Sequence, residues 1–161
     1  MKRFPNTGFL IVGDGELKAS LQEESEQRGI AERVLFTGFR RDVPDLLYAA
    51  DVSVVPSVWE EPFAYVLQES MAAARPVVAS AVGGTPEIVE DGVSGFLVEP
   101  CRADLLAEAI SQLLADPDLR RSMGEKGRQR IERDFTVERM ARDYEELYRS
   151  LLSPRGSGER P

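Results

Sequence analysis

Short apolar runs alternate with amphipathic stretches along most of the chain. Each run is short, rich in β-branched residues and bounded by Gly, Pro or Asp, which is typical of strands buried on both faces. The five runs are residues 9–12, 34–37, 52–55, 77–79 and 96–98. Because helical patterns separate them, the sequence predicts an α/β fold with a doubly wound parallel sheet and helices on both of its faces.

Three helical patterns lie between the first four runs. The first begins at Leu17 and ends near Gly29, which is a suitable residue just past a helix C-terminus. The second can be capped by Asp42. The third runs from about Pro62 to Ala74, since proline suits a first helical turn.

The chain is predicted to be helical after the last run. One helix is stopped by the pair at 116–117, a more polar helix follows, and Thr136 then caps a helix with apolar residues at offsets of three and four. We expect one domain over residues 1–152 that ends in this helical extension. Residues 153–161 read as a flexible tail, because they are rich in Gly, Ser, Pro and charge.

Composition excludes several classes of function. The 161 residues carry a formal charge of -8, and an acidic surface repels phosphate backbones, so nucleic-acid binding is not expected. There is no His and only one Cys, Cys101, which excludes histidine bases, the usual zinc sites and an internal disulfide. No apolar run approaches the roughly 20 residues of a membrane helix. We therefore expect a cytoplasmic domain with at most peripheral membrane contact.

Candidate chemistry lies where strands end, because open α/β sheets bind ligands beyond the carboxyl ends of their strands. Gly13 and Gly15 follow the first run, either as a plain tight turn or as backbone that receives a phosphate. Gly38 and Phe39 follow the second run, as a shelf for a flat base or as an ordinary loop. A second glycine pair, at 83–84, could let a ligand approach the backbone.

The segment after the third run is the most informative. Glu61 would sit at the start of the predicted helix, and Glu69 about 12 Å further along its axis. The N–H groups of Phe63 and Ala64 would be free to bind an anion. Glu61 also reads as an ordinary first-turn acid, whereas a partly buried Glu69 would need a partner. Two carboxylates beside such amides suit a nucleotide-sugar, which has hydroxyls at both ends and a diphosphate between them.

These residues resemble a known family. Glu61 and Glu69 have the spacing of the E-x7-E motif of retaining glycosyltransferases of family 4, or group 1, which have the GT-B architecture. Other segments resemble the family consensus in the same order, namely VGDG at 12–15, VLFTG at 34–38, ADV at 50–52, PS at 56–57, PVVAS at 76–80, GGTPEIV at 83–89 and GFLV at 95–98.

The resemblance implies a Rossmann-like, carboxy-terminal domain that binds a UDP-, GDP- or ADP-sugar without a metal or other cofactor. It places Glu69 on the ribose hydroxyls and Glu61, as the catalytic residue, on the sugar. It places the amides of Phe63 and Ala64 near the sugar and those near Val66 and Leu67 at the distal phosphate. The further donor contacts that it implies are Gly13, Gly15, Gly38, Phe39 and Ser57.

The sequence also departs from the family. Ala64 and Arg75 stand where the family commonly has glycine, and nothing before Phe9 resembles the family's first strand or the Arg and Lys that grip the diphosphate. We therefore expect the donor half of a hexosyltransferase that is inactive by itself, since transfer requires both substrates in near-attack geometry. The alternative is a non-catalytic nucleotide-sugar-binding subunit, or a fragment, that needs a partner acceptor domain.

Overall fold

The computed structural model describes residues 4–152. In chain order the elements are β1 (Phe9–Val12), α1 (Lys18–Gln27), a 3-10 turn (Ala31–Arg33), β2 (Val34–Gly38), α2 (Val43–Ala49), β3 (Ser53–Val55), α3 (Tyr65–Ala72), β4 (Val77–Ser80), α4 (Thr85–Ile88), β5 (Gly95–Val98), α5 (Ala103–Ala115), α6 (Pro117–Asp134) and α7 (Val137–Leu152). The predicted α/β class, with alternating strands and helices and a helical extension, is confirmed.

The strands are all parallel, but they form two sheets. β1 pairs with β2, with Phe9 opposite Val34. β3, β4 and β5 form the second sheet in that order, with Ser53 opposite Val77 and Val77 opposite Gly95. No strand pairing within residues 4–152 joins the two sheets. The chain also divides into two compact units, between residues 50 and 51.

The first unit contains β1, β2, α1 and α2. Burial of β1 on both faces was predicted and is wrong, since the residues from Phe9 to Val12 are between 36% and 42% exposed. The reason is that β1 hydrogen-bonds only to β2. α1 ends as predicted: Arg28 is its C-cap and Gly29 follows with a φ of 64°. Asp42 is the N-cap of α2, but its carboxylate accepts from Arg40 Nε at 2.8 Å and caps no N–H.

The core of the second unit lies on both faces of β4, which is buried along its whole length. Val77 and Ala79 belong to a cluster with Leu67 of α3. Val78 points the other way, into a cluster with Leu113 of α5. This alternation follows from the pleat of a strand. The loop that follows β4 therefore begins at a strand that is buried along its whole length.

α6 packs directly on the end of α3. The N–H groups of Ala74 and Arg75 donate to the carbonyls of Met71 and Ser70, each at 2.9 Å, which is a Schellman motif. Ala74 has a φ of 54°, and an ideal Cβ on Gly124 of α6 would lie 2.1 Å from the Ala74 carbonyl oxygen. The position in this segment whose backbone favours glycine is therefore Ala74, one residue before Arg75.

The last two helices differ in how they are held. Arg130 of α6 donates from Nε to the carbonyl of Ile88 at 2.8 Å and from Nη2 to that of Glu87 at 2.9 Å, which ties α6 to the end of α4. Thr136 caps α7 as predicted, accepting from the N–H of Arg139 at 3.2 Å. The apolar face of α7 is more than half exposed at Val137, Met140, Tyr144, Leu147, Tyr148 and Leu151.

Two further expectations from the sequence concern membrane-spanning helices and the C-terminal tail. Within residues 4–152, none of the helices combines the length and apolar character that crossing a membrane requires. The predicted tail, residues 153–161, lies outside the described residues.

Candidate functional site

Two hydrogen bonds join the loops that follow β3 and β4, and we call this pair of bonds the clasp. Gly84 N–H donates to the carbonyl of Glu61 at 3.0 Å, and Gly83 N–H donates to the Glu60 carboxylate at 2.9 Å. An ideal Cβ would lie 2.2 Å from the Glu61 carbonyl oxygen if placed on Gly83, and 2.1 Å from that of Pro62 if placed on Gly84. The close approach of the protein's own backbone therefore accounts for Gly83 and Gly84, and a ligand at this pair stays a prediction.

Glu61 is held by this clasp and by its own side chain. Its carboxylate accepts a hydrogen bond from Ser57 Oγ at 3.0 Å, and both residues are half-buried. Ser57 follows β3 by two residues, so the strand positions the donor of that bond. The structure thus brings Ser57 and Glu61 together, and it fixes one carboxylate at the carboxyl end of the sheet.

Helix α3 begins later than predicted. It starts at Tyr65, with Ala64 as N-cap, because Ala64 has an extended ψ of 103°. Glu61 and Pro62 therefore lie in the loop, and the 12 Å estimate along a continuous helix axis does not apply. Ala64 is buried and packs in the core with Leu67.

The backbone N–H groups that are free to bind an anion also differ from those predicted. No side chain caps α3, which leaves its first N–H groups without intrahelical acceptors. Leu67 N–H is an exception, since it bonds to the Ala64 carbonyl at 3.1 Å. Of the predicted amides, Phe63 and Ala64 precede the helix and Leu67 is used internally. Val66 remains a first-turn donor, and Tyr65, which the sequence reasoning missed, joins it.

Glu69 is exposed, so the expected partial burial is wrong. α3 buries Leu67, Ser70 and Met71, and Glu69 lies about 200° around the helix from Leu67. A carboxylate in water needs no protein partner, so Glu69 carries no burial cost. Its accessibility instead leaves the carboxylate available to a ligand.

Two aromatic rings line the start of α3. The ring centroid of Phe63 lies 6.3 Å from that of Tyr65 in an edge-to-face arrangement, and 5.9 Å from that of Phe135. Phe135 is also 5.7 Å from the guanidinium of Arg130. Phe63 thus anchors the loop through its ring, a role that the sequence did not suggest.

The glycine turns of the first unit also lie at strand ends. Gly13 N–H donates to the Gly38 carbonyl at 2.9 Å, and both residues have positive φ, 124° and 68°. Gly15 N–H bonds to the Asp14 carboxylate at 3.1 Å. Phe39 is 76% exposed. The backbone geometry accounts for the glycines at 13 and 38, and contact of these four residues with a donor stays a prediction.

Residues 4–152 contain no group of three or more Cys, Asp and Glu side chains placed to hold a metal ion, and the sequence has no His.

Sequence reasoning missed the role of Glu60 as well. It lies beside Glu61, is exposed as a residue, and its carboxylate accepts from Gly83 N–H. Two adjacent acids before Pro62 carried no signal that distinguished the backbone acceptor from its neighbour.

Comparisons with known proteins identify the family of this chain. Residues 1–130 match the family described as glycosyl transferases group 1. N-acetyl-alpha-D-glucosaminyl L-malate synthase of Bacillus anthracis is 34% identical over 151 residues, which are 94% of this chain and 39% of that protein. The chain therefore spans well under half the length of this curated relative.

Solved structures show the same fold. Anabaena HepE in complex with UDP-glucose superposes with a TM-score of 0.84 at 32% identity, over 91% of this chain and 42% of that one. The C-terminal domain of the group 1 glycosyl transferase LpcC from Francisella tularensis superposes with a TM-score of 0.77 at 27% identity, over 84% of this chain and 73% of that one. This chain belongs to the group 1 glycosyl transferases, which have the GT-B architecture that its motifs resemble.

Proposed function

We propose that this chain is the donor-binding part of a retaining glycosyltransferase, which binds a nucleoside-diphosphate hexose for transfer to an acceptor. The observation that carries the proposal is the placement of the Glu61 carboxylate, fixed by Ser57 at 3.0 Å, in the loop just before the uncapped N-terminus of α3. A fixed acceptor of hydroxyl groups beside an anion site is suited to a phosphorylated sugar.

Glu61 binds the hexose in this proposal and is its catalytic residue. Its half-buried carboxylate accepts hydrogen bonds from sugar hydroxyls, and the Ser57 hydroxyl keeps one oxygen in place. Charge-assisted hydrogen bonds of this kind are stronger than neutral ones. The clasp between Gly84 and the Glu61 backbone supports the same orientation from the other side.

The diphosphate lies at the start of α3. The first-turn N–H groups of Tyr65 and Val66 point out of the helix, and the helix dipole favours negative charge there. Charge grows on the diphosphate as it leaves, so these donors stabilise the transition state more than the ground state.

Glu69 holds the nucleoside in the proposed complex. Its exposed carboxylate lies in the second turn of α3, beyond the helix N-terminus, and can accept from both ribose hydroxyls. Because Glu69 contacts only the nucleoside, replacing it weakens the binding of UDP and of a UDP-sugar to the same extent.

Transfer proceeds on one face of the sugar. The bond from the anomeric carbon to the diphosphate oxygen breaks, and the acceptor oxygen forms its new bond on the same side, which retains the configuration. The acceptor proton passes to an oxygen of the leaving diphosphate. No histidine base is needed, in keeping with a chain that has none.

The acceptor is bound outside these residues. The related synthase of Bacillus anthracis is far longer than its match to this chain, which covers 39% of it. Holding both substrates in near-attack geometry requires both sides of the cleft, so residues 1–161 by themselves bind donor without transferring it.

Calorimetric titration of UDP-glucose, GDP-mannose and ADP-glucose tests the proposal. We expect saturable binding of one nucleotide class, weakened about tenfold or more in Glu69→Gln, because a charged hydrogen-bond acceptor is lost. Glu108→Gln is the matched control, since Glu108 is an exposed acid on α5, and it should leave the affinity unchanged.

Two results would contradict the proposal. One is the absence of binding by any of the three nucleotide-sugars. The other is an equal loss of affinity in Glu69→Gln and Glu108→Gln, which would indicate a general effect of charge.

A further inference from the structure

A cavity of about 350 Å³ opens in the second unit, away from the loops that follow β3 and β4. Asp51, just before β3, and Arg75, just before β4, line one side. Arg120, Arg121 and Glu125 of α6 line the other. The cavity therefore lies at the amino ends of these parallel strands, whereas Glu61 follows their carboxyl ends.

The side chain of Arg75 lacks an acceptor within the described residues. Arg75 is half-buried, and its Nε is a buried atom with no hydrogen-bond partner. None of the ion pairs found in residues 4–152 includes it. Buried polar groups are almost always satisfied, and a guanidinium has five N–H donors in a planar fork. This donor set calls for an oxyanion.

One of the two arginines that face Arg75 is already oriented. Arg120 donates to the Leu113 carbonyl at 2.8 Å and lies 3.5 Å from the Asp51 carboxylate, which fixes its side chain at the cavity wall. Arg121 is mostly exposed and lies 3.4 Å from Asp118. A ligand that enters the cavity therefore meets one preorganised guanidinium and one adaptable one.

Backbone contacts fix the two walls of the cavity relative to each other. The Schellman motif fixes Arg75, whose N–H bonds to the Ser70 carbonyl at 2.9 Å. α6 abuts the same turn at Gly124, where an ideal Cβ would lie 3.5 Å from the nitrogen of Arg75. Arg120 and Arg121 stand one helical turn before Gly124, so they face Arg75 across the cavity.

We propose that this cavity is a second, anion-binding site, which takes inorganic phosphate or the phosphate group of a small phosphate monoester. Three arginines outnumber the two carboxylates of the lining, Asp51 and Glu125, and guanidinium forks match phosphate geometry. The four residues of β4 separate it from the Glu61 loop by about 13 Å, so both sites can be occupied together.

Calorimetric titration of the whole chain at constant ionic strength tests the site, with inorganic phosphate, phenyl phosphate and acetate as probes. We expect saturable binding of inorganic phosphate and none of acetate. Binding of phenyl phosphate as well assigns the site to monoesters, and its exclusion assigns it to free phosphate. Arg75→Gln should weaken phosphate binding about tenfold or more. Arg75→Lys should weaken it less, since lysine keeps the positive charge but lacks the guanidinium fork.

Arg142→Gln is the matched control, because it removes the same charge from exposed α7. It should leave phosphate affinity unchanged. If Arg75→Gln does not fold, Arg121→Gln, at an exposed position, replaces it and should also weaken phosphate.

The proposal is overturned if neither phosphate probe binds, or if Arg142→Gln weakens binding as much as Arg75→Gln. Competition with UDP separates this site from the proposed donor site. Phosphate binding that saturating UDP abolishes and that is unchanged in Arg75→Gln would place the anion at α3 and overturn the proposal. The Arg75→Gln comparison does not depend on the outcome of the nucleotide-sugar titrations.

Discussion

The N–H of Gly84 donates a 3.0 Å hydrogen bond to the carbonyl oxygen of Glu61, and this bond joins the loops after two neighbouring strands. The approach is close enough that a Cβ on Gly84 would lie 2.1 Å from the carbonyl oxygen of Pro62. The position of the Glu61 carboxylate therefore depends on a residue without a side chain more than twenty positions away.

Gly84→Ala should destabilise the chain and weaken donor binding together. The added methyl must displace the backbone at Pro62, which we expect to lower the free energy of unfolding by about 1–3 kcal/mol. Urea unfolding and UDP-glucose titration measure the two effects. In Gly8→Ala the new Cβ would lie 3.6 Å from its nearest neighbour, the Arg33 carbonyl oxygen, so this control should change neither quantity. A fully stable Gly84→Ala would show that the loops separate easily.

Alanine substitutions at Gly124 and at Gly127 of α6 should have different effects on stability. At Gly124 the Cβ would lie 2.1 Å from the Ala74 carbonyl oxygen, whereas at Gly127 its nearest neighbour is Met71 Cγ at 3.4 Å. We expect Gly124→Ala to cost about 1–3 kcal/mol of unfolding free energy. Gly127→Ala should be neutral, or stabilise by up to about 1 kcal/mol through its helix propensity. Equal unfolding midpoints of the two variants in urea would contradict the close contact of α3 and α6.

Ala74→Gly should stabilise the chain. Ala74 adopts a φ of 54°, which strains a residue with a Cβ, and glycine relieves that strain at some cost in chain entropy. We expect a net gain of about 0.5–1 kcal/mol in the free energy of unfolding. The control is Ala73→Gly at the preceding position, where φ is -76° and the methyl is buried. That change should destabilise, and a loss of stability in both variants would show that Ala74 is unstrained.

Glu61→Gln should separate the sugar from the nucleotide. If the carboxylate binds the hexose, the variant loses affinity for UDP-glucose about tenfold and keeps its affinity for UDP. Ser57→Ala should give a smaller loss for UDP-glucose, since the carboxylate stays but its 3.0 Å hydrogen bond is removed. Titration of both ligands into each variant measures the difference. Equal losses for UDP and UDP-glucose would place Glu61 on the nucleoside and contradict its proposed role.

The candidate site shows where prediction from sequence ended. Ser57 and Glu61 were both named as site residues after the third strand, because strand ends and acids can be read locally, but the hydrogen bond between them was not predicted. The start of α3 was placed too early, since proline suits a first turn and nothing local revealed that Ala64 is drawn into the core. Glu69 was expected to be partly buried because apolar neighbours in sequence were taken for neighbours in space.

The order of strands and helices, the caps at Gly29 and Thr136, and the family itself were encoded in patterns a few residues long, because hydrophobic period, capping and turn chemistry act over one or two turns of chain. The division of the strands into two sheets, the clasp of Gly84 on Glu61 and the convergence of Arg75 with Arg120 were decided by tertiary structure. Each joins segments far apart in sequence, and such contacts depend on how separate elements pack against one another, which no local pattern specifies.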